Sequence, residues 1–339
     1  MNKRKSGRFW TVTVLGAAIA LMAAYLSLTN GTFDMSVSEV LQTLLRIHPQ
    51  PEHDLVVFEF RLPRIVLGAL IGFSLGIAGA IVQGVTKNGL ADPGILGIHA
   101  GAGLAVVLFM FLFQGSVTAA GWLGVMMMPM FGIVGGLAAT TAIYLFAKED
   151  GKLDPQRLIL VGIAIASGFG ALTVYISLKM NPNDYEMAVV WLAGSLHSAN
   201  WKFVATMLPW LLLVPVVCMR AHVLDLFQLS DESQKGLGMS VEREKNIFLL
   251  CSVGLVSASV AVAGSIAFVG LIAPHLARQL VGLKHVHILP ASGVVGMIMV
   301  LVGDFIGKTI FAPAELAVGI VVSIIGVPYF VYLLIRARA

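Results

Sequence analysis

The chain has 339 residues, of which 58% are apolar and 12% charged, with a formal charge of +4. Soluble domains carry about a quarter charged residues, so these charges are too few to cover a water-facing surface, and the bilayer is the expected solvent. The small net charge gives no reason to expect a nucleic acid partner, and the two cysteines, Cys218 and Cys251, lie in apolar runs that suit neither a disulfide framework nor a metal knuckle.

A helix that crosses a membrane takes about 20 mostly apolar residues. The basic Met1-Asn-Lys-Arg-Lys start leads into the first such run, 10–28. This run is long for a signal peptide and no A-x-A site follows it, so it reads as a retained span. Further runs at 62–84, 94–113, 119–147, 156–178, 201–219, 246–264, 268–281, 288–307 and 315–335 predict an all-α polytopic membrane protein of about ten spans. The eighth run is short and the fourth long. In the second, Gly68, Gly72, Gly76, Ala80 and Gly84 recur every fourth residue, a small-residue stripe that lets another helix approach closely. Alternating the spans places sixteen of the 22 Lys and Arg residues on the side of the N-terminus. The other side holds Arg46, Arg61, Arg64, Lys179, Lys202 and Lys308. Such residues concentrate in cytoplasmic loops, so both termini are expected in the cytoplasm and 1–339 forms one transmembrane domain.

Three segments interrupt the apolar pattern. Residues 29–60, expected outside, carry Pro49 and Pro51 and run into Arg61-Leu-Pro-Arg64. Residues 179–200, also outside, hold the turn cluster Asn181-Pro-Asn-Asp and then Trp191-Leu-Ala-Gly-Ser195. Residues 220–245, inside, hold nine charged residues. There Ser230 suits a helix N-cap, Asp231 and Glu232 suit the first turn, and Gly236 or Gly238 suits the end. A short, soluble-type helix between two spans reads as a docking element.

No enzyme site is legible: the chain has no His-Glu-x-x-His, no Gly-x-Ser-x-Gly and no carboxylate pair within the spans. Nothing calls for a cofactor or a metal. Gly303-Asp-Phe-Ile-Gly307-Lys308-Thr309 has three residues between its glycines where a phosphate-binding loop needs four, and no strand precedes it. Asp304 and Lys308 are spaced for an i,i+4 ion pair. His99 and His275 are expected to be hydrogen-bonded structural residues.

The sequence nevertheless resembles one family along nearly its whole length. The motifs are Arg61-Leu-Pro-Arg64; Gly79-Ala-Ile-Val-Gln83, leading through Asn88-Gly-Leu-Ala-Asp-Pro93 to Leu96-Gly97; Trp191-Leu-Ala-Gly194-Ser195; Ala263-Gly-Ser-Ile-Ala-Phe-Val-Gly-Leu-Ile-Ala-Pro-His275-Leu-Ala-Arg278; and Ala314-Glu315-Leu-Ala-Val-Gly319 with Gly326-Val-Pro328. In order and spacing they are similar to the FecCD family, the permeases of iron-siderophore, haem and cobalamin ABC importers. The resemblance implies a permease subunit of the cell membrane and not an enzyme. Its implied partners are a second permease subunit (homo- or heterodimer), two cytoplasmic ATPase subunits that hydrolyse the ATP, and an extracytoplasmic substrate-binding protein, all in membrane lipid. A ferric siderophore is the implied cargo, with haem or cobalamin as alternatives; an ion-coupled secondary transporter is the reading from outside the family. Arg61, Arg64 and Lys308 match the cations that dock the binding protein, although Arg is common at the third position. Asn88 and Leu90 match the cytoplasmic gate, with Asn88-Gly89 where the family commonly has Asn-Pro. Leu229, Asp231, Glu232, Lys235, Gly236, Leu237 and Gly238 match the coupling segment seated on the ATPase. The fifth span is implied to line the pathway.

Overall fold

Backbone groups in lipid have no water to bond, so an apolar run must satisfy them within itself, as a helix does. The computed structural model describes residues 3–31, 33, 35–47, 50–113, 121–149, 152–153, 155–312 and 314–337. Pro49, Arg338 and the side chain of Asp231 lie outside the described set.

The helices in chain order are α1 (Lys3–Thr29), α2 (Val37–Leu44), α3 (Pro51–Asp54), α4 (Leu62–Thr86), α5 (Ile98–Phe113), α6 (Gly121–Ala147), α7 (Pro155–Ser177) and α8 (Pro182–Leu192). Then come α9 (Trp201–Leu211), α10 (Leu213–Met219), α11 (Ala221–Leu226), α12 (Asp231–Gly236), α13 (Val241–Ala263), α14 (Val269–Val281), α15 (His285–Ile310) and α16 (Val318–Ala337). One antiparallel rung, Lys148–Glu149 against Lys152–Leu153, is the sole strand pairing among the described residues.

Among the described residues, eight helical stretches are long and apolar enough to cross a membrane. The third and eighth predicted runs became α5 and α14, of 16 and 13 residues. Every predicted run therefore has its helix, and two of the ten are short. The predicted segment at 179–200 carries α8, capped by Asn181, and the one at 220–245 carries two short helices, α11 and α12.

The core is a packed centre of α4, α13 and α15. The glycine stripe explains the close crossing of α4 and α15. A Cβ on Gly72 would run into the Gly296 carbonyl, and one on Gly76 into the Ser292 carbonyl. Burial is uneven: 83% of the apolar stretch of α13 lies inside the protein but only 11% of that of α7. Between α3 and α4 the helix widens into a π stretch, Leu55–Arg61. Pro63 supplies the reason, since it offers no N–H to the Glu59 carbonyl and its ring crowds that turn. Gly303–Thr309 lies wholly within α15, where Gly303 packs on Val318 and Gly307 on the Leu316 carbonyl. It is packed helix, not a phosphate loop.

Polar contacts sort the bundle into two ends. At one, Arg8 Nη2 donates to Gln279 O at 3.1 Å, Lys87 Nζ to Leu229 O at 3.0 Å, and His275 packs edge-on against Tyr329 of α16. At the other, Arg61 and Lys308 bond the C-terminal end of α1. Both ends of the chain therefore share one end of the bundle with α11 and α12.

Candidate functional site

The end opposite the termini is built around buried cations. Arg61, placed by the π stretch, is 9% exposed. Its guanidinium donates to the carbonyls of Leu28 and Phe33, both at 2.5 Å. Those carbonyls lie at and just beyond the last turn of α1, where the helix dipole favours a cation. Arg64, one turn on, makes a forked pair with Asp304 at 2.9–3.1 Å, and its Nη1 reaches Glu315 at 2.9 Å. Glu315 Oε2 also meets His197 Nδ1 at 3.1 Å.

The expected Asp304–Lys308 pair does not form. Arg64's planar fork matches the carboxylate in two bonds, which a point charge does not. Lys308 instead donates to Ser27 O (2.6 Å), Ser27 Oγ (2.7 Å) and Asn30 O (3.2 Å), satisfying open carbonyls of α1. The cations taken from sequence as an outward rim are thus structural as well: the Arg64 side chain is only 16% exposed, and His197, at 68%, reaches farthest into solvent.

At the opposite end, α4 stops at Lys87 in the left-handed conformation (φ +53°). The next turn is closed by Asn88, whose Oδ1 accepts from Leu90 N at 2.9 Å while its carbonyl accepts from Ala91 N at 3.1 Å. Lys87 binds Leu229 O, so the turn holding Asn88 and Leu90 is tied to the short-helix segment. That segment is firmly seated. Gly84 leaves room for Leu224 and His285; Asp225 Oδ1 accepts from His285 N at 2.9 Å and lies 2.6 Å from its Nδ1. Ser230 caps α12 by accepting from Ser233 N, and Gln234 is buried, donating to Phe227 O and Leu229 O. Glu232, Lys235, Gly236 and Gly238 are exposed. So are Leu229 and Leu237, at 41% and 64%. Of the two glycines expected to end α12, Gly238 takes the left-handed position (φ +76°).

A third polar cluster lies within the bundle. Ser265 Oγ sits 2.9 Å from His99 Nδ1, bearing out a hydrogen-bonded His99, and Asp92 lines the same cavity of about 430 Å³. Sequence reasoning passed over Asp92 and Ser265. The available signal was the shortness of the eighth run, because interrupted helices in transporters mark cavities. Among the described residues no group of three or more His, Cys, Asp or Glu side chains is placed to hold a metal.

Residues 19–336 match the FecCD transport family. The chain belongs to that family. It is 51% identical over 322 residues to the iron-uptake system permease protein FeuC of Bacillus subtilis (strain 168), covering 95% of this chain and 96% of that one. It is 41% identical to the iron(3+)-hydroxamate import system permease protein FhuG of the same organism, covering 99% of this chain and all of the relative. Its fold superposes on a metal-chelate type ABC transporter solved in an inward-facing conformation, with a TM-score of 0.82 at 28% identity, over 96% of this chain and 99% of the other. As a FecCD member the chain is a multi-pass membrane permease and not an enzyme.

Proposed function

We propose that this permease forms half of the translocation pathway of an ATP-driven importer in the cell membrane, carrying ferric siderophores. The observation that carries the reading is the full-length FecCD match together with relatives named for iron uptake and hydroxamate import. Those names favour an iron chelate over haem or cobalamin. The reading assigns the end with Arg61, Arg64 and Lys308 to an outer binding protein. Arg61 braces the rim from behind, while Arg64, Glu315 and His197 face the docking partner, where charge complementarity speeds and orients encounter. The 220–245 segment is assigned to the ATPase. A helix seated rigidly on α4 and α15 can pass closure of the ATPase into tilting of those spans, and Lys87 extends the same linkage to the gate turn at Asn88 and Leu90. A second permease subunit and two ATPase subunits complete the assembly.

Two experiments test these assignments. Cells with and without the chain are compared for uptake of radiolabelled ferric hydroxamate, ferric catecholate, haem and cobalamin. Loss confined to one or both ferric siderophores is expected; intact iron uptake with lost haem or cobalamin uptake contradicts the reading. For the inner segment, Leu237→Asp alters an exposed side chain, so unfolding should move by no more than about 0.5 kcal/mol. The ATPase should nevertheless no longer co-purify, and uptake should cease. Retained co-purification contradicts the seat at α12.

A further inference from the structure

The two short helices are short because the chain unwinds before each of them inside the bundle. Ahead of α5 runs the stretch 87–97, whose one regular piece is a 3-10 turn at Pro93–Leu96, with Gly97 at φ +69°. Ahead of α14 runs 264–268, with Gly264 at +72° and Phe268, a bulky residue, at +66°. Depth follows from α4: Gly79 packs against Gly270 at the start of α14, and Gly79 lies seven residues, about 10 Å, above the last residue of α4. The Asp92 carboxylate reaches the same level, since its Oδ1 lies 2.8 Å from where a Cβ on Gly270 would stand. Non-helical backbone at such a depth is tolerated where it is buried in protein or lines a watered cavity.

Here it lines a cavity. The second stretch meets the first turn of α5 through Ser265 and His99, and with Asp92 of the first stretch they wall the cavity of about 430 Å³, whose far side is Gly170 and Thr173 of α7. A second cavity of about 610 Å³ shares Ser265 and Leu192 and runs on along α16. On α7, the least buried span, Gly168 and Gly170 have no atom within 4 Å of a Cβ position. Most other helical glycines of the chain are filled by close neighbours. Gly170 leaves a smooth wall beside a carboxylate, an imidazole and a hydroxyl.

The geometry points to a charge-selecting station in the translocation pathway, formed by Asp92 with His99 and Ser265, that passes neutral or cationic chelates in preference to multiply anionic ones. A carboxylate at this depth acts on a passing charge with little screening from salt and a reduced dielectric. Ser265 and His99 offer hydrogen bonds to the uncharged periphery of a chelate. The inference rests on the proposed function for its cargo but not for its cavity.

The test uses the assembled transporter in proteoliposomes, with Cys218→Ser and Cys251→Ser to remove native thiols and Ala267→Cys in the cavity wall. Reaction with a cationic and an anionic methanethiosulfonate reagent is timed relative to free cysteine. The cationic reagent should react about tenfold faster, Asp92→Asn should abolish that preference, and modification should block ATP-driven uptake of a neutral ferric trihydroxamate. No reaction, equal rates with Asp92 in place, or unimpeded uptake after modification overturns the proposal. If Asp92→Asn fails to assemble, the comparison with Asp92 in place still decides. If the unmodified transporter takes up no ferric chelate with ATP, the importer reading fails separately, because the reagent rates report the cavity alone.

Discussion

Asp304→Ala should destabilise the protein by about 3–5 kcal/mol, the usual effect of removing one partner of a buried ion pair. Asp304 is 5% exposed in its side chain and holds Arg64 by two parallel bonds, so its loss strands a guanidinium that is itself 16% exposed. Glu315, the remaining partner, takes only Nη1 and is shared with His197. The thermal midpoint in detergent measures the effect. Replacing the pair together, Arg64→Met with Asp304→Leu, should recover much of the loss, since no buried charge then remains. An Asp304→Ala protein as stable as the parent would mean that the pair is solvated in the assembled protein. Reversing Arg61 and Arg64 to Glu, which reads from sequence as a surface change that spares the fold, should destabilise the fold as well. It would set two acids against the carbonyls of α1 and the carboxylate of Asp304.

Gly72→Leu should prevent the crossing of α4 and α15 and so abolish accumulation of folded protein. A Cβ at Gly72 meets the Gly296 carbonyl and stands 2.8 Å from Met297 Cα. Both neighbours are backbone and neither can swing aside. Overpacking a filled core commonly costs about 1–3 kcal/mol, and here the obstacle is a second helix axis, so the effect belongs at or beyond the upper end. The internal control is Gly168→Leu in α7, where nothing lies within 4 Å of the Cβ position. Its thermal midpoint should match the parent's. Equal stability of the two variants would contradict the close crossing.

The ten apolar runs were legible because lipid imposes one strong rule, that a run of this length must satisfy its own backbone. The glycine stripe was legible for a related reason. Every fourth residue of a helix shares a face, and Gly72 and Gly76 both lie against α15. The ion pairing was not legible. Local spacing favours Asp304 with Lys308, but Arg64 is 240 positions away, and only the fold brings its fork to the carboxylate. Arg61 reads as an outward cation in sequence, and only the π turn at Pro63 shows that it turns back onto α1. The pathway cluster fell between these cases: the short eighth run was visible, but not the shortening of α5 or the meeting of Ser265 with His99 in its first turn.

By the proposed function, this FecCD permease moves its cargo with energy from ATP hydrolysed by separate subunits. The most direct test is uptake of a radiolabelled ferric siderophore into proteoliposomes holding the permease, its ATPase and its binding protein. The predicted result is uptake that needs ATP and all three components and ignores imposed proton or sodium gradients. Gradient-driven uptake into liposomes containing only this chain would contradict it.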